Sequence, residues 1–285
     1  MASEAFRAAA VRRRVEWRDL VALAWWERVW ELSLSVPWLV GSVWAYWRAG
    51  AAWAEGGSWF AWLGLAALGS FFFFLTGLRQ SHNAQHSCLG IGRWGHHAML
   101  CVLSVLMLAS MHAVRITHLH HHRHCLDDED EEARHAAWPW WKVLAMGPVL
   151  IVRLHAAAWR LGGRRDRAWI ALELALCACA ALVVFLVLRA DALGGLIVAL
   201  RWHMAAMAAG ECMTAFFAVW IVHRGCEHDG QIARTQRGWM KNLVSYSMFY
   251  HLEHHLWPAV PTCHLPRLAD RLDKVEPGVR ERQVV

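Results

Sequence analysis

Apolar positions along this chain gather into long runs instead of the mixed faces of soluble helices. Four stretches, about Trp30 to Trp47, Ser58 to Leu78, Ala168 to Leu188 and Leu193 to Val222, are apolar and long enough to cross hydrocarbon. A helix needs roughly 20 residues to span about 30 Å of lipid. The last run is long enough to protrude at one end. A fifth run, Ala98 to Ile116, is nearly as apolar but lies between two groups of histidines. Crossing there would place those groups in opposite compartments, so the pattern predicts an interfacial or re-entrant helix. Lys142 to Arg160 mixes apolar residues with Arg153, His155 and Arg160, which predicts a second interfacial helix.

Composition supports lipid as the solvent. Of the 285 residues 57% are apolar and 20 are tryptophan, more than a soluble domain of this length would bury. The expected fold is an all-α membrane protein, one integral-membrane domain with four transmembrane helices in two hairpins. Its parts are a basic N-terminus over 1–29, a first hairpin over 30–78, and a middle region with interfacial helices over 79–167. A second hairpin over 168–222 and a C-terminal region over 223–285 complete it. The basic N-terminus lacks the apolar core and cleavage site of a signal peptide, so the chain is expected to begin near Met1.

Charge sets the orientation. Of 29 Lys and Arg, 26 fall before the first run, between Arg79 and Arg167, or after His223. Arg48 and Arg189 sit in the short hairpin loops and Arg201 in the fourth run. The bias places both termini and the middle region on the cytoplasmic side, in a membrane expected to be a bacterial inner membrane. The net charge of +6 is spread along loops beside apolar runs, which fits membrane orientation and predicts no nucleic acid partner. Eight cysteines form no CxxC pair and read as reduced packing residues.

Candidate chemistry resides in the histidines. HLHHHRH, His118 to His124, holds five of the 19. His82 and His86, in SHNAQHS, are spaced by four; His251, His254 and His255, in YHLEHHLWP, by three and four. Residues three and four apart share a helix face, so each cluster can aim two or three imidazoles at one point. The same HxxHH spacing selects His118, His121 and His122, and His223, in WIVHRG, lies at the same expected depth. Nine neutral imidazoles suit two mid-series transition metals with four or five nitrogen ligands each. That number exceeds what zinc needs, and iron, which also activates oxygen, is the better assignment. The other ten histidines share no spacing and read as packing, interfacial or supporting residues.

In HNAQH, HLHHHRH, WIVHR and HLEHHLWPAVP, in that order from about Leu75 to Leu268, the chain resembles the membrane fatty acid desaturase superfamily. That superfamily also contains carotenoid ketolases and hydroxylases and alkane hydroxylases. The resemblance implies a mushroom-shaped, four-span helical protein with a cytoplasmic, histidine-rich di-iron cap. It implies metal ligands at His82, His86, His118, His121, His122, His223, His251, His254 and His255, two iron ions, and molecular oxygen as co-substrate. One departure is Val219, where some animal acyl desaturases carry an asparagine that holds a metal-bound water.

Breaking an unactivated C–H bond requires a cofactor-derived oxidant. Two abstractions give a double bond; hydroxyl transfer gives an alcohol or, on repetition, a ketone. The acidic run Asp127 to Glu132 could orient ligating imidazoles or simply face water. Glu211, in the fourth run, is a functional candidate because an ionisable group is costly there. Glu173 and Arg201 lie nearer run ends and could snorkel. Phe71 to Phe74 are expected to face lipid, with an acyl channel as the alternative. Trp138 to Trp141 fit an interfacial belt. With no HPGG haem stretch and no GxGxxG after a strand, electrons must come from a separate donor, such as a ferredoxin with its reductase, steered by charges including Arg234, Arg237 and Lys241. The expected function is oxygen-dependent desaturation of a fatty acyl chain of a lipid. A carotenoid ketolase or hydroxylase is the nearer alternative and a histidine-rich metal transporter the more distant one.

Overall fold

The computed structural model describes residues 11–187, 195–226 and 231–281. Regular structure among the described residues is helical, with no strand. Leu188, Arg189 and Leu193, at the turn of the expected second hairpin, and His228 lie outside the described residues.

The first apolar run is divided. Helix α1, Trp25–Ser33, is followed by α2, Val36–Ala54, instead of one span over Trp30 to Trp47. The polarity of α1 is inverted relative to a helix in water: Glu27 and Glu31, one turn apart, are buried, while Trp25, Trp26, Val29 and Trp30 are exposed. Such a helix suits a surface where lipid is outside and polar partners are inside. Glu31 pairs with Arg79 and accepts a bond from Asn83 Nδ2 (3.0 Å), and Glu27 accepts the Ala24 N–H (2.8 Å).

Three helices are long and apolar enough to cross a membrane: α3, Phe60–Gln85; α6, Trp140–Leu161; and α7, Arg164–Val187. Counting two bent pairs as spans raises the number to five. Helix α6 covers the segment Lys142 to Arg160 expected as an interfacial helix; its 22 residues, interrupted by Arg153 and His155, are long and apolar enough to cross a membrane and equally within the length of an interfacial helix.

The run Ala98 to Ile116 is two helices, α4 (Arg93–Met107) and α5 (Met111–His124), meeting at 113°, the shape of a broken span or a re-entrant segment. Leu108, in the left-handed region at φ 63°, ends α4, and Ser110 caps α5 by accepting the Ala113 N–H at 3.1 Å. The turn is tied down by Glu173 of α7, which accepts from Ser110 Oγ (2.6 Å), His112 N (3.0 Å) and His112 Nδ1 (2.5 Å). Glu173 therefore does not snorkel. It is fully buried, and its bonds to α5 help aim the second histidine box.

The last run is also broken, by 42° between α8, Leu196–Glu211, and α9, Ala215–His223, whose first part over Ala215–Trp220 is a π-turn. Arg201 donates to the carbonyls of Val184 (3.0 Å) and Phe185 (3.3 Å) in the π-turn that ends α7. Short helices α10 (Trp239–Val244), α11 (His251–Leu256) and α12 (Leu265–Val275) close the chain. Helices α2, α3 and α8 pack together, α5 packs on α6 and α7, and α6 packs on α9. Phe73 and Phe74 are buried in the core with Met107 and Met207, and Phe71 meets Phe217 edge-on, so this run packs between helices more than it faces lipid.

Candidate metal centre

Four elements bring histidines to one place. The end of α3 supplies His82, and His86 caps it; α5 supplies His118, His121 and His122; α9 ends on His223; and α11 carries His251, His254 and His255. The ligand atoms form two groups. His82, His86, His118 and His254 make one, and His121, His223, His251 and His255 make the other; within each, all four atoms lie within 4.8 Å of one another. His122 joins the first through Nε2 contacts to His118 (3.2 Å) and His254 (2.9 Å), and its ring stacks 4.3 Å from His255 of the second.

All nine histidines selected from the sequence therefore meet. The expectation that each box aims at one point holds for His82 and His86 and is corrected for the two HxxHH boxes. In α5 the i,i+4 pair His118 and His122 belongs to the first group, while His121 reaches the second. In α11 the assignment is reversed: His251 and His255 belong to the second group and His254 to the first. The 3.6-residue period explains the split, because residues i and i+4 nearly superimpose in projection while i+3 points to the other side of that line.

The close nitrogen pairs have the dimensions of a coordination shell. Nε2 of His223 lies 3.2 Å from that of His121 and 3.0 Å from that of His251, and His251 and His255 approach at 3.1 Å. Metal–nitrogen bonds of about 2.1 Å give donor-to-donor edges of about 3.0 Å at right angles and about 3.4 Å in a tetrahedron. Hydrogen bonding cannot satisfy the whole set, since each imidazole has few protons to give and some are directed outward. His223 Nδ1 donates to the Ile232 carbonyl (2.8 Å), and His121 Nδ1 contacts Asp130 Oδ2 (2.7 Å). Such bonds fix the tautomer that leaves Nε2 free for a metal. Both ring nitrogens of His82, and Nε2 of His86, are buried without a partner. Orphaned polar atoms of this kind are rare and costly unless something is bound there, so the donor set fits metal ions.

Electrostatics point the same way. Burial first, and then mutual repulsion among the crowded imidazoles, hold His251, His254 and His255 well below the ordinary histidine value, which keeps them neutral. Burial opposes the charge of Asp130, but its bond to His121 and the N–H groups of Ala133 and Leu126 outweigh it and hold the carboxyl down at about 2. Within the acidic run, Asp130 and Glu132 contact ligands, the latter reaching His118 Nδ1 at 3.3 Å. Asp127 pairs with His124 (3.1 Å), and Glu131 pairs with Arg134 and Arg160 (3.1 Å each).

Some supporting residues carried no sequence signal. Glu253, fully buried on the back of α11, accepts from Thr235 Oγ1 (2.6 Å) and pairs with Arg237 (2.6 Å), which also binds Asp273 (2.7 Å). Arg237 thus holds the third box from behind. Glu253 lies between ligands in HLEHH, and its place on the opposite face follows from that spacing; its partners come from segments the spacing does not reach.

An open cavity reaches the centre. His82, His118 and His251 form part of its wall, and apolar residues of α5, α6 and α9, including Val114, Leu150 and Val219, form much of the rest. The Fatty acid desaturase family model matches residues 57–282, which includes all nine histidines. A search of curated proteins finds no match.

Proposed function

Because the chain belongs to the fatty acid desaturase family, we propose that it is an oxygen-dependent di-iron membrane oxidoreductase that desaturates a fatty acyl chain of a lipid. The observation that carries this reading is the pair of four-imidazole groups with His122 between them. His82, His86, His118, His122 and His254 would hold one iron, and His121, His223, His251 and His255 the other. When bound, two irons supply the one chemistry the side chains lack, activation of molecular oxygen to an oxidant able to break C–H bonds.

The residues of this chain do the rest. Outward hydrogen bonds from His121 and His223 orient the imidazoles, and Asp130 holds a negative charge behind His121. The cavity offers an apolar chain a path between α5, α6 and α9 to the wall formed by His82, His118 and His251, and apolar walls position it while limiting water. Four spans in two hairpins, with both termini and the centre on the cytoplasmic side of a bacterial inner membrane, follow from the placement of Lys and Arg. A separate donor, such as a ferredoxin with its reductase, supplies electrons there.

The test is expression in a bacterial host supplied with fatty acids and β-carotene, with mass spectrometry of extracted lipids and iron analysis of the purified chain. Desaturated acyl chains, lost on replacing His121 with Ala, together with two irons per chain, support the proposal. A purified chain that takes up no iron defeats it. A carotenoid carrying new keto or hydroxyl groups moves the substrate to the alternative named from the sequence.

A further inference from the structure

The break between α8 and α9 is a built feature. At its centre Glu211 is buried, with Oε1 lacking any partner and Oε2 accepting only a long bond from Thr214 Oγ1 (3.3 Å). The backbone of this turn lies against α6 at Gly147, where an added Cβ would stand 1.8 Å from the Cys212 carbonyl oxygen, so no other residue fits there without moving a helix. A π-turn follows at Ala215–Trp220, a form found mostly as local insertions at functional sites. Across the space, His135 is 3% exposed, and neither of its ring nitrogens makes a well-formed hydrogen bond.

Glu211, Thr214 and His135 all line the cavity that ends at His82, His118 and His251. A cavity meant only for a hydrocarbon chain gains nothing from this polar patch, because buried polar groups without partners cost free energy. We infer that the lipid chain entering this cavity carries a hydroxyl group, which docks between Glu211 and Thr214 and sets which carbons reach the metal centre. This rests on the proposed lipid oxidoreductase and narrows its substrate class. A hydroxyl is the group that fits, because it both donates and accepts. It can complete Glu211 whether the carboxyl is protonated or ionised, whereas a carbonyl serves only the protonated form. Two sources supply such a group, a hydroxylated acyl chain and a hydroxylated carotenoid.

The experiment is equilibrium binding without oxygen, so that turnover plays no part, using the purified full-length protein with its metal. One arm compares octadecanoyl phosphatidylcholine with a set of positional isomers bearing a single chain hydroxyl. The other compares β-carotene with its dihydroxy derivative. In one arm the hydroxylated probe is expected to bind about tenfold or more tightly than its parent, the ratio that results when a buried polar group gains a missing partner. Glu211→Leu should abolish that ratio while metal content stays unchanged. Glu211→Gln, which still donates and accepts, should retain most of it. Thr214→Val, nearly isosteric, provides a second reading independent of Glu211 and should lower it about threefold. Equal affinity within both pairs, or a preference that survives both Glu211→Leu and Thr214→Val, overturns the inference. Because binding alone is read, a chain that binds hydroxylated lipid but oxidises none would defeat the proposed reaction while leaving this site standing.

Discussion

The two imidazole groups use the same side chain but are held differently. In the second group His121 is fixed by Asp130 and His223 by the Ile232 carbonyl, both below 3 Å, while the pairing of Glu253 with Arg237 holds α11, which serves both groups, from behind. In the first group His82 has no partner at either ring nitrogen, His86 has none at Nε2, and His118 reaches Glu132 only at 3.3 Å. Outward hydrogen bonds fix tautomer and ring orientation before metal arrives. The second group is therefore preorganised, and the first depends more on the metal itself to order it. The same fold thus offers one tight and one more labile position.

The strongest way to break this comparison is to remove a ligand from each side. His251→Ala should leave the second position unable to retain iron and lipid oxidation undetectable. His86→Ala should also abolish oxidation while sparing the second metal, so iron analysis should find about one metal per chain. If His86→Ala lost both metals and His251→Ala lost only one, the order of the two positions would be reversed. Next in size is the support behind α11. Glu253 is fully buried and the Arg237 side chain is 11% exposed, so Arg237→Ala leaves the Glu253 carboxylate uncompensated, while Asp273 keeps Arg280 at 3.4 Å. Breaking a buried pair in this way costs about 3–5 kcal/mol, and thermal unfolding should register it before any change in the substrate cavity.

A smaller change sharpens the contrast without removing a ligand. Asp130→Asn keeps the shape behind His121 but removes the charge, and loss of such a partner lowers metal affinity about 10–100-fold. Glu132→Gln, behind His118 at the longer distance, should cost less than Asp130→Asn. Metal remaining after dialysis against a graded chelator series measures both, and equal losses would show that the two groups are held alike.

The nine ligands could be read from the sequence because helical spacing is a local rule: three and four residues apart means one face, whatever the fold. The supports behind them could not, because they join distant segments. Ser110 and Glu173, which fix the turn before α5, are 63 residues apart, and Asn83 and Thr262, joined by a 2.7 Å bond, are 179 apart. The division of each HxxHH box between two groups also escaped, although it follows from the same helical period once two centres exist. Apolar runs located the long helices but not their breaks. Val36–Ala54 is separated from Trp25–Ser33 because Glu27 and Glu31 turn inward to polar partners, and hydropathy has no measure of direction. Lys142 to Arg160 reads as interfacial because Arg153 and His155 lower its apolarity, and the length of Trp140–Leu161 suits an interfacial helix as well as a span.

The smallest expected effect concerns the frame of the first group. Box 1 leaves α3 beside α1, and α1 is tied to the C-terminal segment where Glu27 Oε1 meets His264 Nε2 at 3.0 Å. That bond, and then the Ala24 N–H, hold the Glu27 carboxyl below its ordinary value of 4.5. A carboxylate depressed in the folded state stabilises the fold above its unfolded pKa, and this contribution disappears as pH falls through the depressed value. Glu27→Gln should therefore lower the melting temperature slightly at neutral pH, and the gap from the unaltered chain should close as the solution is acidified below about 4.5. If the frame matters mainly to the first group, chelator-resistant metal at that position should follow the same acid limb while the second position does not. A gap that stays constant with pH would mean that Glu27 contributes packing and not charge, and both groups should then respond to its loss equally.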